Sequence, residues 1–286
     1  MEMLRYAAMA LLLGTLLGVN PASAGVVYSN GFESDTAGWD AFGGAFNATR
    51  VPSGTNGITS ASGGFHAQNS ATGSAGNWGG YNFGAGSVPT VFQEYWTSLD
   101  IYLDVDGGWA NDTRFDFSSA ISNSAGTHRR DFIFNAGFYN DATGTGAGTD
   151  RFVISASNNS QPGSAFAKNP GKDPIAISTS GWYTFEHHFY DNAGLLAVDM
   201  SIFDAADSLV HTWTLSDAAD LIGLIGGNRY GWFDYNQFSV LAFDNTELRT
   251  ADVAAVPEPA SLAVWGVGAL SIALGAARRR RQKLAA

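Results

Sequence analysis

Leu99-Asp100-Ile101-Tyr102-Leu103-Asp104-Val105 alternates apolar and polar residues, so an extended strand there puts Leu99, Ile101, Leu103 and Val105 on one face. The same two-residue period, or a run of β-branched and aromatic residues, recurs along the chain. It is found at Val26 to Glu33, Arg114 to Ser118, Phe132 to Tyr139, Arg151 to Ala156, Trp182 to Tyr190, Leu195 to Phe203, Leu209 to Leu215 and Phe238 to Leu248. Asp191-Asn192-Ala193-Gly194 joins two of these runs and predicts a hairpin. The glycine- and serine-rich stretch from Gly43 to Pro89 is long for a loop, so short strands are expected inside it around Phe46, Phe65 and Trp78 to Tyr81. A second such stretch, Ala142 to Gly148, carries no period. One short helix is expected at Ser216 to Ile222, with Ser216 as N-cap and Asp217 in its first turn. Roughly a dozen strands with one short helix predict an all-β, two-sheet sandwich.

The two ends follow another pattern. Tyr6 to Val19 is an uncharged, mostly apolar run behind Arg5, and Ala22-Ser23-Ala24 offers a small-x-small cleavage site. Residues 1–24 are therefore expected to be a signal peptide, cleaved after Ala24. Ala260 to Ala277 is free of charge over eighteen residues, enough for a transmembrane helix at 260–277. Arg278, Arg279, Arg280 and Arg281 make 278–286 a basic tail that stays cytoplasmic. Pro257 and Pro259 keep the 251–259 linker from being helical, which leaves extended backbone for a protease. The body at 25–250 then faces outward.

Val256-Pro257-Glu258-Pro259, the apolar span and the basic cluster, in that order, resemble the PEP-CTERM sorting signal of Gram-negative bacteria that make extracellular polysaccharide. The resemblance covers residues 256–286 only. It implies that Pro257, Glu258 and Pro259, with Arg278 to Arg281, are read by an exosortase-type membrane protease. It further implies transient residence in the inner membrane, removal of the tail, and delivery to the cell envelope or extracellular matrix.

Without both ends, Gly25 to Ala255 keeps 9 basic and 24 acidic residues, a net charge of −15. That field disfavours nucleic acid and anionic lipid as partners, and anionic polysaccharide unless a divalent cation bridges it. The absence of cysteine excludes disulfides, a thiol nucleophile and cysteine-ligated metals. Asp outnumbers Glu twenty to six, which suits turns and calcium ligation better than helix surfaces.

Asn30-Gly31-Phe32-Glu33 with Gly38-Trp39, and Phe243-Asp244-Asn245-Thr246-Glu247-Leu248, resemble the first and last strands of jelly-roll carbohydrate-binding modules and concanavalin-like sandwiches. The resemblance implies a structural calcium with Glu33 and Asp244 among its ligands; two exposed carboxylates at strand ends are the other reading. Asp104-Val105-Asp106-Gly107-Gly108 lacks the acidic residue that would close an EF-hand loop, since Phe115 stands there.

The best indication of ligand binding is aromatic. Tyr230, Trp232, Phe233 and Tyr235 crowd into Asn228 to Gln237 beside Asp234 and Asn236. Flat rings stack on sugars while Asp and Asn take hydroxyls. Trp232, Tyr235, Asp234 and Asn236 are the candidate carbohydrate site, although core packing accounts for half the rings of a regular strand. Only a turn or bulge within Gly231 to Asn236 brings Trp232 and Tyr235 to one side. Glu186-His187-His188 lacks zinc spacing, and no Gly-x-Ser-x-Gly elbow occurs. His128, Arg129 and Arg130 could supply a lyase base and its cation, or form a solvated edge. The sequence thus favours a non-catalytic, glycan-binding or structural sandwich, with a polysaccharide-active hydrolase or lyase on the same fold as the alternative.

Overall fold

The computed structural model describes residues 24–39, 48–70, 90–159 and 167–251. The strands are β1 (Ala24–Asn30), β2 (Ala48–Pro52), β3 (Phe65–Asn69), β4 (Tyr95–Leu103), β5 (Thr113–Asn123), β6 (His128–Tyr139) and β7 (Arg151–Asn158). They continue with β8 (Ile175–Ile177), β9 (Gly181–Asn192), β10 (Leu195–Asp204), β11 (Leu209–Leu221), β12 (Ile225–Asn236) and β13 (Leu241–Ala251). One sheet of eight strands runs β11-β10-β9-β4-β13-β3-β2, with β1 also paired to β13; the other, of five, runs β12-β5-β6-β7-β8. The protein is therefore an all-β, two-sheet sandwich.

The two-residue period sets which faces meet. On β4, Tyr95, Thr97, Leu99, Ile101 and Leu103 are buried while Trp96, Ser98, Asp100 and Tyr102 face away. Leu99 lies opposite Phe185 of β9, and Tyr95 opposite Phe189, so the pattern carries across strands in register. The second sheet answers with phenylalanine. Phe134 meets Phe185 edge-on at 5.1 Å, and Phe132 meets Phe189 at 5.5 Å. Such ring pairs add to the burial of their area. His187 sits among them, fully buried, and its Nε2–H donates to the carbonyl of Phe132 in the opposite sheet at 3.1 Å. Burial pushes this imidazole down to about 3, so it packs as a neutral ring.

The hairpin expected between β9 and β10 forms, with Ala193 and Gly194 both at positive φ (55° and 90°). That pair of angles matches the twist of the flanking strands, and glycine adopts it without strain. Asp191 Oδ1 accepts the Gly194 N–H at 2.6 Å.

The helix expected at Ser216 to Ile222 is a correction. Those residues continue β11 to Leu221, followed by a 3-10 turn at Ile222–Leu224. Ser216 pairs with Ala197 and Leu221 with Leu195, so the intervening residues bulge from the sheet edge. The Asp217 side chain does act locally, accepting the Ala219 N–H at 2.9 Å. Asp220 is drawn elsewhere, onto Arg129 (2.7 Å) and Arg130 (2.5 Å) of β6. Sheet pairing and this buried ion cluster override the helix-start signal.

The glycine-rich stretch at Ala142 to Gly148 also gains a purpose. Arg151, fully buried, reaches back under it and donates to the carbonyls of Tyr139, Asp141, Thr143, Thr145 and Thr149 and to Asp141 Oδ1. A loop whose apolar side chains are only Ala142 and Ala147 is thus ordered around one guanidinium.

The segments expected to be a signal peptide, sorting linker, transmembrane helix and basic tail, beyond Ala24 and Ala251, and the strands expected near Phe46 and Trp78 to Tyr81, lie outside the described residues. Among the described residues no helix is long and apolar enough to cross a membrane.

Candidate functional site

The outer face of the five-stranded sheet is polar where its inner face is aromatic. On β5, Phe115 and Phe117 point into the core and Asp116 and Ser118 point out; on β6, Phe134 and Phe138 point in and Asn135 points out. Asp116 is in register with Asn135, and Asn135 with Ser155 of β7. One step along, Trp232 of β12 faces Ser118, and Ser118 faces Ile133. Two rows of outward side chains therefore cross four strands.

On β12 the register slips between Phe233 and Tyr235. Phe233 is a core residue, Tyr235 lies opposite Asp116, and Asn236 lies opposite the core residue Phe115. A strand without that slip would put Trp232 and Tyr235 on opposite sides; the bulge puts Trp232, Asp234 and Tyr235 together on the outer face. Trp232 is only 6% exposed, whereas Tyr235 is half-buried and so is the accessible ring. The Arg114 guanidinium stands 5.8 Å from the Tyr235 centroid. Asn236 leaves this group. It is buried, accepts the Phe238 N–H at 3.0 Å and donates to the Phe238 carbonyl at 2.9 Å, which shapes the turn into β13.

Hydrogen bonds link the outward groups. Ser118 Oγ donates to Asp234 Oδ2 at 3.0 Å, and Asn135 Nδ2 donates to Asp116 Oδ1 at 3.0 Å. Ser157 Oγ donates to Asn135 Oδ1 at 2.7 Å. Lys172 ends a 3-10 turn, Pro170–Lys172, that Asn169 caps by accepting the Gly171 N–H at 2.9 Å. The turn lays the buried lysine on this face, with Nζ 3.5 Å from Asn135 Oδ1.

Burial pushes the Asp116 carboxyl up to about 6, against the pull of Asn135, Arg114 and Lys172. Asp234 is raised well above its ordinary value, by burial first and by the negative charges of Asp116 and Asp131 after it. Burial lowers Lys172 to about 8, with Asp116 opposing. Asp234 Oδ1 and Ser155 Oγ are among the buried atoms on the face that make no hydrogen bond.

Farther along β6, Gly137 leaves room for its neighbours: a Cβ there would come within 2.8 Å of the Tyr139 ring and 3.0 Å of Arg114 Cγ. Beyond it Asn111, Asp112, Tyr139, Asp141 and Lys168 line a cleft of about 400 Å³. Lys168 Nζ is 2.8 Å from Asp141 Oδ2 and 4.7 Å from the Tyr139 centroid.

The residues expected at a calcium are brought to one loop. Asp244 Oδ2 accepts the N–H groups of Ala61 (3.1 Å) and Ser62 (3.3 Å), and Glu33 accepts those of Gly64 and Phe65 at 3.1 Å. Both carboxylates thus pin the segment 61–65, and an ion there would have to use lone pairs these amides leave free. Burial raises Asp244 to about 6. Among the described residues no three His, Asp or Glu side chains are grouped for a metal.

The other titratable runs divide between structural roles and the opposite face. Arg129 and Arg130 are locked on Asp220, with Arg130 also 3.3 Å from Asp217. Glu186 pairs with Arg249 at 2.7 Å on the outer face of the large sheet. His188 there is stacked between Trp96 (4.3 Å) and Tyr190 (4.8 Å). Sequence reading missed Asp116, Ser118, Asn135, Ser155, Ser157 and Lys172. The available signal was the polar residues alternating with Phe115-Phe117 and with Ile154-Ala156, which marks a second face that is polar yet not merely solvated.

No protein-family model and no curated protein matches the chain. Several solved structures are similar to it, three of which follow. The CBM2 module of the evolved Dit of Lactobacillus casei BL23 phage J-1 has 14% identity over 81% of this chain and 98% of its own, at a TM-score of 0.41. A protein of unknown function from Shewanella oneidensis MR-1 has 12% identity over 84% and 92%, at 0.41. The winged bean acidic lectin, complexed with methyl-alpha-D-galactose, has 8% identity over 80% and 99%, at 0.41.

Proposed function

We propose that the chain is an exported, non-catalytic sandwich of the jelly-roll, concanavalin-like kind that binds glycan on the outer face of its five-stranded sheet. In this reading residues 1–24 direct secretion. The PEP-CTERM-like end, from Pro257-Glu258-Pro259 to Arg278–Arg281, hands the protein to an exosortase-type protease for delivery to the envelope or matrix. The observation that carries the binding role is the β12 bulge. It sets an accessible ring, Tyr235, beside Asp234 and Asp116, the pairing of flat apolar area with oriented acceptors that a sugar requires. A polysaccharide hydrolase is the second reading, favoured by those same two neighbouring carboxyls.

Titration of the purified protein against oligosaccharides of different charge tests both. Binding without release of reducing ends or unsaturated products supports the first reading, and turnover that Asp116→Asn abolishes supports the second. Tyr235→Ala should weaken binding by about 1–3 kcal/mol with the fold intact. Wild-type protein that binds no glycan would overturn the proposal.

A further inference from the structure

We propose that Lys172 and Asn135 join covalently: the lysine amine displaces the side-chain amide nitrogen of Asn135, forming an intramolecular isopeptide bond and releasing ammonia. The two side chains already touch, with Lys172 Nζ donating to Asn135 Oδ1 at 3.5 Å. Asn135 and Lys172 are 1% and 7% exposed, so water scarcely competes for the amide. The lysine is held in this pose from both sides. Its backbone N–H donates to the Asn169 carbonyl at 3.0 Å, and Trp213 Nε1–H of β11 donates to the carbonyl of Asp173, the next residue, at 2.9 Å. Such fixed geometry turns aminolysis, slow between free molecules, into an intramolecular reaction. The hydrogen bond that the ammonium makes goes to this amide rather than to a carboxylate. That is a costly placement for a buried cation, and linkage removes the charge.

Each reacting atom of Asn135 has a partner suited to its part. Ser157 Oγ donates to Oδ1 at 2.7 Å, where negative charge collects as the tetrahedral intermediate forms. Asp116 Oδ1 accepts from Nδ2, the leaving nitrogen, at 3.0 Å. Burial brings Asp116 up to about 6 and Lys172 down to about 8, so a proton passes between them far more readily than between an ordinary aspartate and lysine. Asp116 takes one proton from the Lys172 ammonium, and the free amine attacks Asn135 Cγ, forming the Nζ–Cγ bond as the carbonyl electron pair moves onto Oδ1. Asp116 then gives its proton to Nδ2 and accepts one from Nζ. The pair returns from Oδ1, and the Cγ–Nδ2 bond breaks with its electrons left on nitrogen. Ammonia departs as ammonium with the proton from Asp116, so the carboxylate ends as it began. The bond ties β6 to the turn before β8 in a chain that has no cysteine for a disulfide. It forms without a glycan and leaves Asp116, Asp234 and Tyr235 in place.

The experiment is intact-mass spectrometry of the purified protein followed by tryptic mapping. The protein should weigh one ammonia, about 17 Da, less than the sequence between its mapped ends requires. Trypsin should leave the chain uncut after Lys172 and yield residues 131–151 joined to residues 169–229. Lys172→Arg, which keeps the cation, should restore the full mass. Asp116→Asn, which cannot shuttle a proton, should leave most of the chain unlinked; circular dichroism establishes that both variants fold. Because Asp116→Asn also stops the linkage, its melting is compared with wild type in chains that both carry Lys172→Arg. Full mass in the wild type, with residues 131–151 and 169–172 as separate peptides, overturns the proposal. So does loss of ammonia without a joined peptide, which marks a cyclised Asn135 instead, and so does a mass deficit that Lys172→Arg leaves unchanged. Complete linkage in Asp116→Asn overturns the proton shuttle.

Discussion

Replacing Asp116 by Asn keeps the size of the side chain and an oxygen for Asn135 Nδ2, and removes the charge. In the fold this carboxyl is pushed up from 3.8 to about 6, chiefly by burial. With the folded value the higher, its contribution to stability is fully present below 3.8 and is lost as pH rises through about 6. A gap of about two units corresponds to roughly 3 kcal/mol, the cost of holding the Asp116 anion in place at pH 8. For a body of this size each kcal/mol moves the melting temperature by about 2–4 °C. Asp116→Asn should therefore melt up to ~6–12 °C above wild type at pH 8, with no difference at pH 4. Asp234, which Asp116 helps to keep protonated, will ionise more readily in the variant, and this adds to the gain at pH 8. The assay is a pair of thermal melts at the two pH values, backed by urea titration. A variant less stable than wild type at pH 8, or a difference of equal size at both pH values, refutes the reasoning. The same substitution should weaken glycan binding, because a carboxylate kept at the cost of stability is the mark of a functional site.

Asp220→Ala leaves the half-buried Arg129 and Arg130 without their shared carboxylate, and should cost about 1–3 kcal/mol in chemical denaturation; a loss under about 0.5 kcal/mol, on the order of an exposed pair, would show the cluster to be solvated. Arg151→Met should expose the amides of residues 139–149 to hydrogen exchange, since one guanidinium holds five of that region's carbonyls; unchanged protection would contradict that role. If Glu33 and Asp244 share a calcium through the lone pairs the loop amides leave free, a chelator should lower the wild-type melting temperature and Glu33→Ala should abolish that response; an identical melt with and without chelator removes the metal. Pro257→Ala with Glu258→Ala should leave full-length precursor in the inner-membrane fraction on an immunoblot. A processed and released double variant would end the sorting proposal.

The sequence by itself determined the sandwich. Leu99-Ile101-Leu103, Phe115-Phe117 and Phe185-His187-Phe189 each repeat every second residue, and that period states which face is buried before any partner strand is known. The turn between β9 and β10 was equally legible, because its short polar connection with a glycine satisfies a purely local demand. The β12 bulge was legible only as a condition, that Trp232 and Tyr235 could share a side if the strand broke; its position depends on pairing with β5. Ser216 to Leu221 shows the converse. Its local signals favour a helix, and the strand exists because β10 and the two arginines of β6 offer more than a helical turn does. Only the tertiary structure could assemble the site. Asp116, Asn135, Ser155, Asp234 and Lys172 come from four strands and a turn, and nothing in one strand records which residue of another lies beside it. The raised carboxyls and the unbonded Asp234 Oδ1 are likewise properties of burial, which sequence period assigns to the inner face and tertiary packing here extends to the outer one.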